Sequence, residues 1–287
     1  MFHHIYAVVD GSNSVLVYDA PPSSATVSSK YVRLKDIVVK DMKDPSDMAA
    51  HPSAGMLYVS DWEGHCVWQI HVNPEVFETE SNLPDEEKMG DCDHRAVAVK
   101  WAAEVGTPRA ISVTCKGQVL LIDAVSCDLS IYSDAGEMIA VIALKAKGMD
   151  RACHAVESTS TPNVVTYLVC HGWTNKEPNR VCEIDVYGQI LRQCGGENGQ
   201  GPGQLSCPLR LVNGSGADAG DSRRKFLIDE ERVLVLDERL QIQRLVLRRP
   251  PERERSWLTR WRLCYVRETG RLLVVWQDGH IHVHSVL

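Results

Sequence analysis

The sequence predicts an all-β protein, and within that class a β-propeller of six blades with four antiparallel strands each. Three observations carry this. Short β-branched runs ending in Gly, Asp or Asn recur every 8–15 residues, the pattern of antiparallel strands and turns. No segment of 12 or more residues shows a helical stripe. The runs also group into a unit of about 40–60 residues that returns six times. Such a period marks a radial array, because one sheet cannot bury both of its faces while stacked blades can.

The unit is clearest where Met48–His51, Met56–Asp61 and Cys66–Ile70 follow one another across tight turns. It returns as Ala110–Thr114, Gln118–Asp123 and Leu129–Tyr132, then as Phe226–Asp229, Arg232–Asp237 and Leu240–Leu245. The last copy is Leu263–Val266, Arg271–Gln277 and His280–Val283. Ile5–Asp10 with Val15–Asp19, and Val164–Cys170 with Val181–Val186, belong to two further copies. Fourth strands are expected at Tyr31–Val39, Arg95–Trp101, Glu137–Leu144 and Gln189–Cys194. The first copy opens at its second strand and the last stops at its third, so both blades are incomplete. Residues 1–287 read as one propeller domain, either cut from a longer protein or closed irregularly. A pair of unrelated β-sandwiches is the alternative.

With 44% hydrophobic residues in 287, the chain has ample material for a core, which excludes disorder as its main state. The longest apolar stretches, Val164–Cys170 and Met138–Leu144, fall far below the ~20 residues a membrane helix needs. Met1–Asp10 meets a carboxylate before any signal-peptide core develops. Ten cysteines without a Cys-x-x-Cys pair are too dilute for a disulfide scaffold. Cys115/Cys127, Cys170/Cys182 and Cys194/Cys207 have spacings that cross-strand disulfides could join, but reduced thiols in a cytoplasmic protein are the preferred expectation.

The net charge of −7 is unevenly spread. Residues 1–143 carry 10 Lys/Arg against 21 Asp/Glu, and residues 144–287 carry 21 against 17. Within the second half, residues 239–271 hold ten basic groups and three acidic ones. The surface is expected to be dipolar, with one basic sector.

Tyr187–Pro208, a strand opening in Gly followed by a Gly-rich loop, Gly203-Gln204-Leu205 and then Pro208, resembles the inter-blade segment of NHL-repeat propellers. Tyr58–Ile70 is similar to the second motif of that family, with Gly64-His65-Cys66 where the family has Asn-His-Arg. The resemblance covers nearly the whole chain as architecture and about 50 residues as motif. It implies a binding domain like the C-terminal propeller of tripartite-motif ubiquitin ligases, which takes protein or RNA targets. The paired cysteine spacings of a RING are absent here, so ligase chemistry is not expected from this chain.

Three constellations could carry chemistry. Arg248, Arg249, Arg253, Arg255, Arg260 and Arg262, with Trp257 and Trp261 among them, form a basic-aromatic segment. Guanidinium groups hold phosphates and stack on bases, and indoles offer stacking platforms, which together suit single-stranded RNA. A solvated inter-blade loop paired to Glu252 and Glu254 is the plainer reading. His280, His282 and His284 alternate along a predicted strand, so all three imidazoles share a face and two or three could bind zinc. No Cys or carboxylate lies nearby in sequence, and a polar face of a terminal strand is preferred. Asp10, Asp61, Asp123 and Asp237 are expected to end equivalent second strands, as turn formers rather than channel ligands. Cys153-His154 and Cys170-His171 are adjacent pairs, and neighbours on a strand face opposite ways, so neither makes a catalytic dyad.

No phosphate-binding loop, Gly-x-Ser-x-Gly or His-Glu-x-x-His motif is present. The expectation is therefore a non-catalytic binding propeller without a cofactor, taking a protein or single-stranded RNA and no membrane. The alternative is a metal-dependent lyase or hydrolase with its ion in the central channel.

Overall fold

The structure is a computed structural model that describes residues 4–8, 11–19, 32–34, 36–51, 55–73, 96–103, 105–158, 164–172, 178–214, 224–230, 232–248, 262–266, 271–275 and 281–285. Regular structure among them is β-strand except for one 3-10 turn at Lys145–Lys147. No helix among the described residues is long and apolar enough to cross a membrane.

The strands form six antiparallel sheets, the blades of a six-bladed β-propeller. Blade 1 has β1 (His4–Val8), β2 (Ser14–Asp19) and a third position split between β3 (Val32–Arg33) and β4 (Ile37–Val38), both paired to β2. Blade 2 has β5 (Pro45–Ala50), β6 (Met56–Asp61), β7 (Cys66–Val72) and β8 (Ala96–Ala103). In blade 3 these positions are β9 (Pro108–Val113), β10 (Val119–Asp123), β11 (Asp128–Tyr132) and β12 (Met138–Ala143). Blade 4 is β13 (Ala152–Glu157), β14 (Tyr167–His171), β15 (Arg180–Ile184) and β16 (Ile190–Gly195). Blade 5 is β17 (Pro208–Asn213), β18 (Lys225–Asp229), β19 (Arg232–Leu236) and β20 (Ile242–Arg248). Among the described residues blade 6 has three strands, β21 (Arg262–Val266), β22 (Arg271–Val275) and β23 (Ile281–Ser285).

The chain divides into two compact units, one holding the first three blades as far as Val141 and the other holding Ser126–Asp128 and everything from Ile142. Within each unit the middle strands are apolar on both faces because a blade packs on each side. In the first unit, Leu57 and Val59 join Val15, Val17 and Ile37 of blade 1, while Tyr58 between them joins Ile111, Val119 and Leu121 of blade 3. In the second unit, Leu227 packs with Leu168, Cys170 and Val181 of blade 4, while Phe226 and Ile228 pack with Leu263, Leu272 and Val274 of blade 6. Each such side chain contributes roughly 1.5–3 kcal/mol relative to exposure. Trp101 adds edge-to-face contacts with Tyr58 and Tyr132, at centroid separations of 5.0 and 5.7 Å. Fourth strands pair on one side only, and β12, β16 and β20 are accordingly half exposed.

One expectation is corrected. Phe226–Asp229 and Arg232–Asp237 are the second and third strands of blade 5, not its first and second. The first is Pro208–Asn213, whose two arginine- and asparagine-bearing faces hide its strand character. Blade 4 likewise begins at Ala152–Glu157. The residue equivalent to Asp61 and Asp123 is therefore Asp229, and Asp237 follows a third strand, as Asp185 does in blade 4.

Candidate functional site

Of the predicted basic segment, Arg248 ends β20, pairs across to Arg232 and is exposed. Arg249, Arg253, Arg255, Trp257 and Arg260 lie outside the described residues. So does His280, while His282 and His284 stand opposite Val274 and Leu272 on β23, with His284 half-buried. Among the described residues no group of three His, Cys, Asp or Glu could hold a metal ion. The nine described cysteines are free thiols.

The aspartates at second-strand ends reach further than their own turns. Asp61 accepts the Lys43 and Asp44 N–H groups at 3.0 and 2.9 Å, the Gly64 N–H at 3.0 Å and Trp68 Nε1 at 3.0 Å. Burial works to raise its carboxyl, but these four donors outweigh it and hold it below the usual range. Asp123 accepts Thr107 N–H and Val125 N–H, and Asp229 accepts Ser206 and Cys207 N–H, both at 2.8 Å. At Asp229 burial wins and pushes the carboxyl up, even though Arg232 also forks onto it at 2.8–2.9 Å. Arg232 continues to the carbonyls of Gly199, Gln200 and Gln204, so it ties down the Gly-rich loop that leads into blade 5. These groups are consumed in joining blades.

In blade 4 the same place is held by His171, which bonds the Asp150 backbone and lies 3.5 Å from Cys182 Sγ through Nε2. Burial, aided by Arg180, pulls the imidazole down to about 4. Burial also pushes the Cys182 thiol up to about 11. A neutral imidazole beside a protonated thiol is the inert form of this pair.

A more open arrangement lies on blade 5. A depression at the hairpin between β19 and β20 is lined by Arg224, Glu238, Arg239, Gln241 and Arg244, with Val235 buried in the core beneath. Asp237 shapes it: Oδ1 accepts the Arg239 and Gln241 N–H groups and Oδ2 accepts Gln243 Nε2, all at 2.8 Å. The wall is braced from blade 4, where Arg192 Nη1 donates to the Glu238 carbonyl at 3.0 Å. Arg192 itself is held by buried Glu183 at 2.6–2.7 Å, and Glu183 accepts from Ser158 and Thr166 at 2.8 and 2.9 Å. Lys225, fully buried at the start of β18, stays near Glu183, Asp237 and Glu238; burial lowers its pKa while those carboxylates oppose the shift.

The basic segment read from the sequence is expected in the connection between blades, whereas Arg248 ends β20; that expectation does not include Arg224, Glu238, Arg244 or the Glu183–Arg192 pair. Only Arg244 lies within the basic run of residues 239–271, and no local pattern singles out the others. Which side chains meet depends on pairings between residues up to about 50 positions apart.

The fold class is a six-bladed propeller. Similar solved structures include hydrazine synthase from Kuenenia stuttgartiensis, at 12% identity and a TM-score of 0.56, over 98% of this chain and 73% of that one. A protein of unknown function from Bacteroides caccae is similar at 13% identity and a TM-score of 0.56, over 95% of this chain and 82% of its own. Likeness at these identities shows the fold alone. No family model and no curated protein matches the chain.

Proposed function

We propose that this chain is a non-catalytic binding module whose partner is single-stranded RNA. The observation that carries the reading is the exposed basic face of blade 5, where Arg239, Arg244 and Arg248 stand on β20 and its hairpin and lead into the arginine-rich residues 248–262. The likeness of Tyr187–Pro208 to NHL inter-blade segments supports a binding role, as in tripartite-motif propellers. An overall acidic molecule with one basic sector steers a polyanion to that sector and repels it elsewhere.

The test is fluorescence anisotropy with a pool of single-stranded RNAs at two salt concentrations, with an acidic peptide in parallel. Affinity falls with salt at a log–log slope near −0.7 per phosphate contact, and Arg244→Ala with Arg248→Ala weakens all sequences and flattens the slope. No binding at low salt, indifference to the double substitution, or tighter binding of the peptide would count against RNA.

A further inference from the structure

We propose that the hairpin between β15 and β16 of blade 4 is a docking surface for an acidic, apolar segment of a protein partner. The inference goes beyond the RNA reading and does not depend on it. Within residues 186–191, Val186, Tyr187, Ile190 and Leu191 all stand exposed, from 38% for Ile190 to 75% for Tyr187. The fold gives no reason for them. Asp185 closes the turn by accepting the Tyr187 and Gln189 N–H groups, both at 2.9 Å. The matching turn of blade 5, closed by Asp237, has Glu238 and Arg239 in place of Val186 and Tyr187, and that of blade 3 has Asp134 and Ala135. Polar or small residues serve this turn in blades 3 and 5, as they do in turns generally. Ile190 and Leu191 face solvent together because the ladder slips there: Ile184 pairs with Ile190 and Glu183 with Arg192, which leaves Leu191 as the extra residue of a bulge.

Charge indicates the partner. Lys147 lies along the hairpin tip, where a methyl group on Gly188 would meet its Cγ at 3.4 Å and its Cε at 3.7 Å. Lys145 is exposed in the same 3-10 turn. Neither lysine has a carboxylate partner among the described residues. The tip is also fixed in advance, since that methyl would come within 2.6 Å of Ile142 Cγ2 and only glycine lets the two pack so closely. Two ammonium groups without counter-charges, beside a set of exposed apolar side chains, match a segment that carries Asp or Glu next to large apolar residues. Tyr187 is the anchor, because a rigid ring with a polar tip gives much contact area for little lost freedom. Single-stranded RNA fits less well. A base could stack on Tyr187, but Val186, Ile190 and Leu191 have nothing to offer a sugar–phosphate backbone. The bulge interrupts the edge of β16, so the partner meets side chains here and does not add a fifth strand.

The experiment uses the full chain to select from a displayed library of random twelve-residue peptides, then measures each enriched peptide against the parent and its variants by fluorescence anisotropy. Enriched peptides are expected to carry Leu, Phe or Trp flanked by Asp or Glu. Tyr187→Ser, which puts an ordinary turn residue at the tip, should weaken them at least about tenfold while the urea midpoint stays at the parent value. Lys145→Glu with Lys147→Glu should abolish the preference for acidic peptides. No enrichment, enrichment of uncharged or basic peptides, or peptides indifferent to Tyr187→Ser overturns the proposal. So does a concentration-dependent dimer of the parent that Tyr187→Ser disperses, which makes a second copy the occupant. A loss of all-uridine RNA binding in that variant also overturns it and assigns the tip to RNA. Failure of RNA to bind the blade-5 face removes the RNA reading and leaves this surface standing.

Discussion

Pro208 and Asp229 face each other across the first two strands of blade 5, and the same pairing recurs as Pro45 with Asp61 and Pro108 with Asp123. In each blade the ladder slips by one residue beside this pair. The carboxylate reaches back to amides just before the proline: Lys43 and Asp44, Thr107, and Ser206 and Cys207. Proline lacks an N–H, so the first strand can begin there without leaving a donor unmet. The aspartate satisfies the donors that precede it. One pair of residues thereby joins the entry of a blade to its second strand.

Asp61→Ala should therefore cost more than an ordinary turn substitution. It leaves the part-buried Lys43, Asp44 and Gly64 amides and the buried Trp68 indole N–H to find other partners, a loss of about 2–4 kcal/mol. Asp185→Ala removes bonds to the exposed Tyr187 and Gln189 amides and should cost under about 1 kcal/mol, because water replaces the carboxylate. Urea unfolding of the two variants measures the difference. Equal losses would mean that the aspartates serve only their own turns.

His171 makes stability depend on pH. Its folded pKa of about 4 lies below the ordinary imidazole value of 6.5, so the unfolded chain takes up a proton first. The full contribution is present above about pH 6.5 and is lost as pH falls towards 4, on the order of 3 kcal/mol in all. Replacing His171 with Asn should flatten the curve of urea midpoint against pH over that window. A variant with the same pH slope as the parent would assign the slope to carboxylates instead.

Leu240 occupies a left-handed position, with φ 62, where blades 3 and 4 have Gly136 and Gly188. A non-glycine residue there costs about 1–2 kcal/mol of backbone energy. Its side chain is buried with Leu205, Leu234 and Leu236, and losing such a side chain costs about 2–5 kcal/mol. Burial should win. Leu240→Gly is expected to destabilise by roughly 1–3 kcal/mol, read from thermal or urea unfolding, and a stabilised variant would show that the backbone strain dominates.

Because side-chain alternation and turn residues are local properties, the sequence by itself determined most of the strands, their antiparallel turns and their sixfold recurrence, but not the first strands of blades 4 and 5. It also determined the charge asymmetry, including the arginines of β20. Tertiary structure decided the frame of blade 5. Phe226–Asp229 and Arg232–Leu236 are two apolar runs joined by a tight turn, and nothing local says whether they stand first and second or second and third. Only the pairing of β17 with β18 settles it. The same holds for the site. Arg224 precedes β18, Glu238 follows β19 and Arg244 lies on β20, while the brace comes from Glu183 and Arg192 in another blade. Register brings these charges to one place, and register is fixed by burying both faces of β18 and β19 against blades on either side.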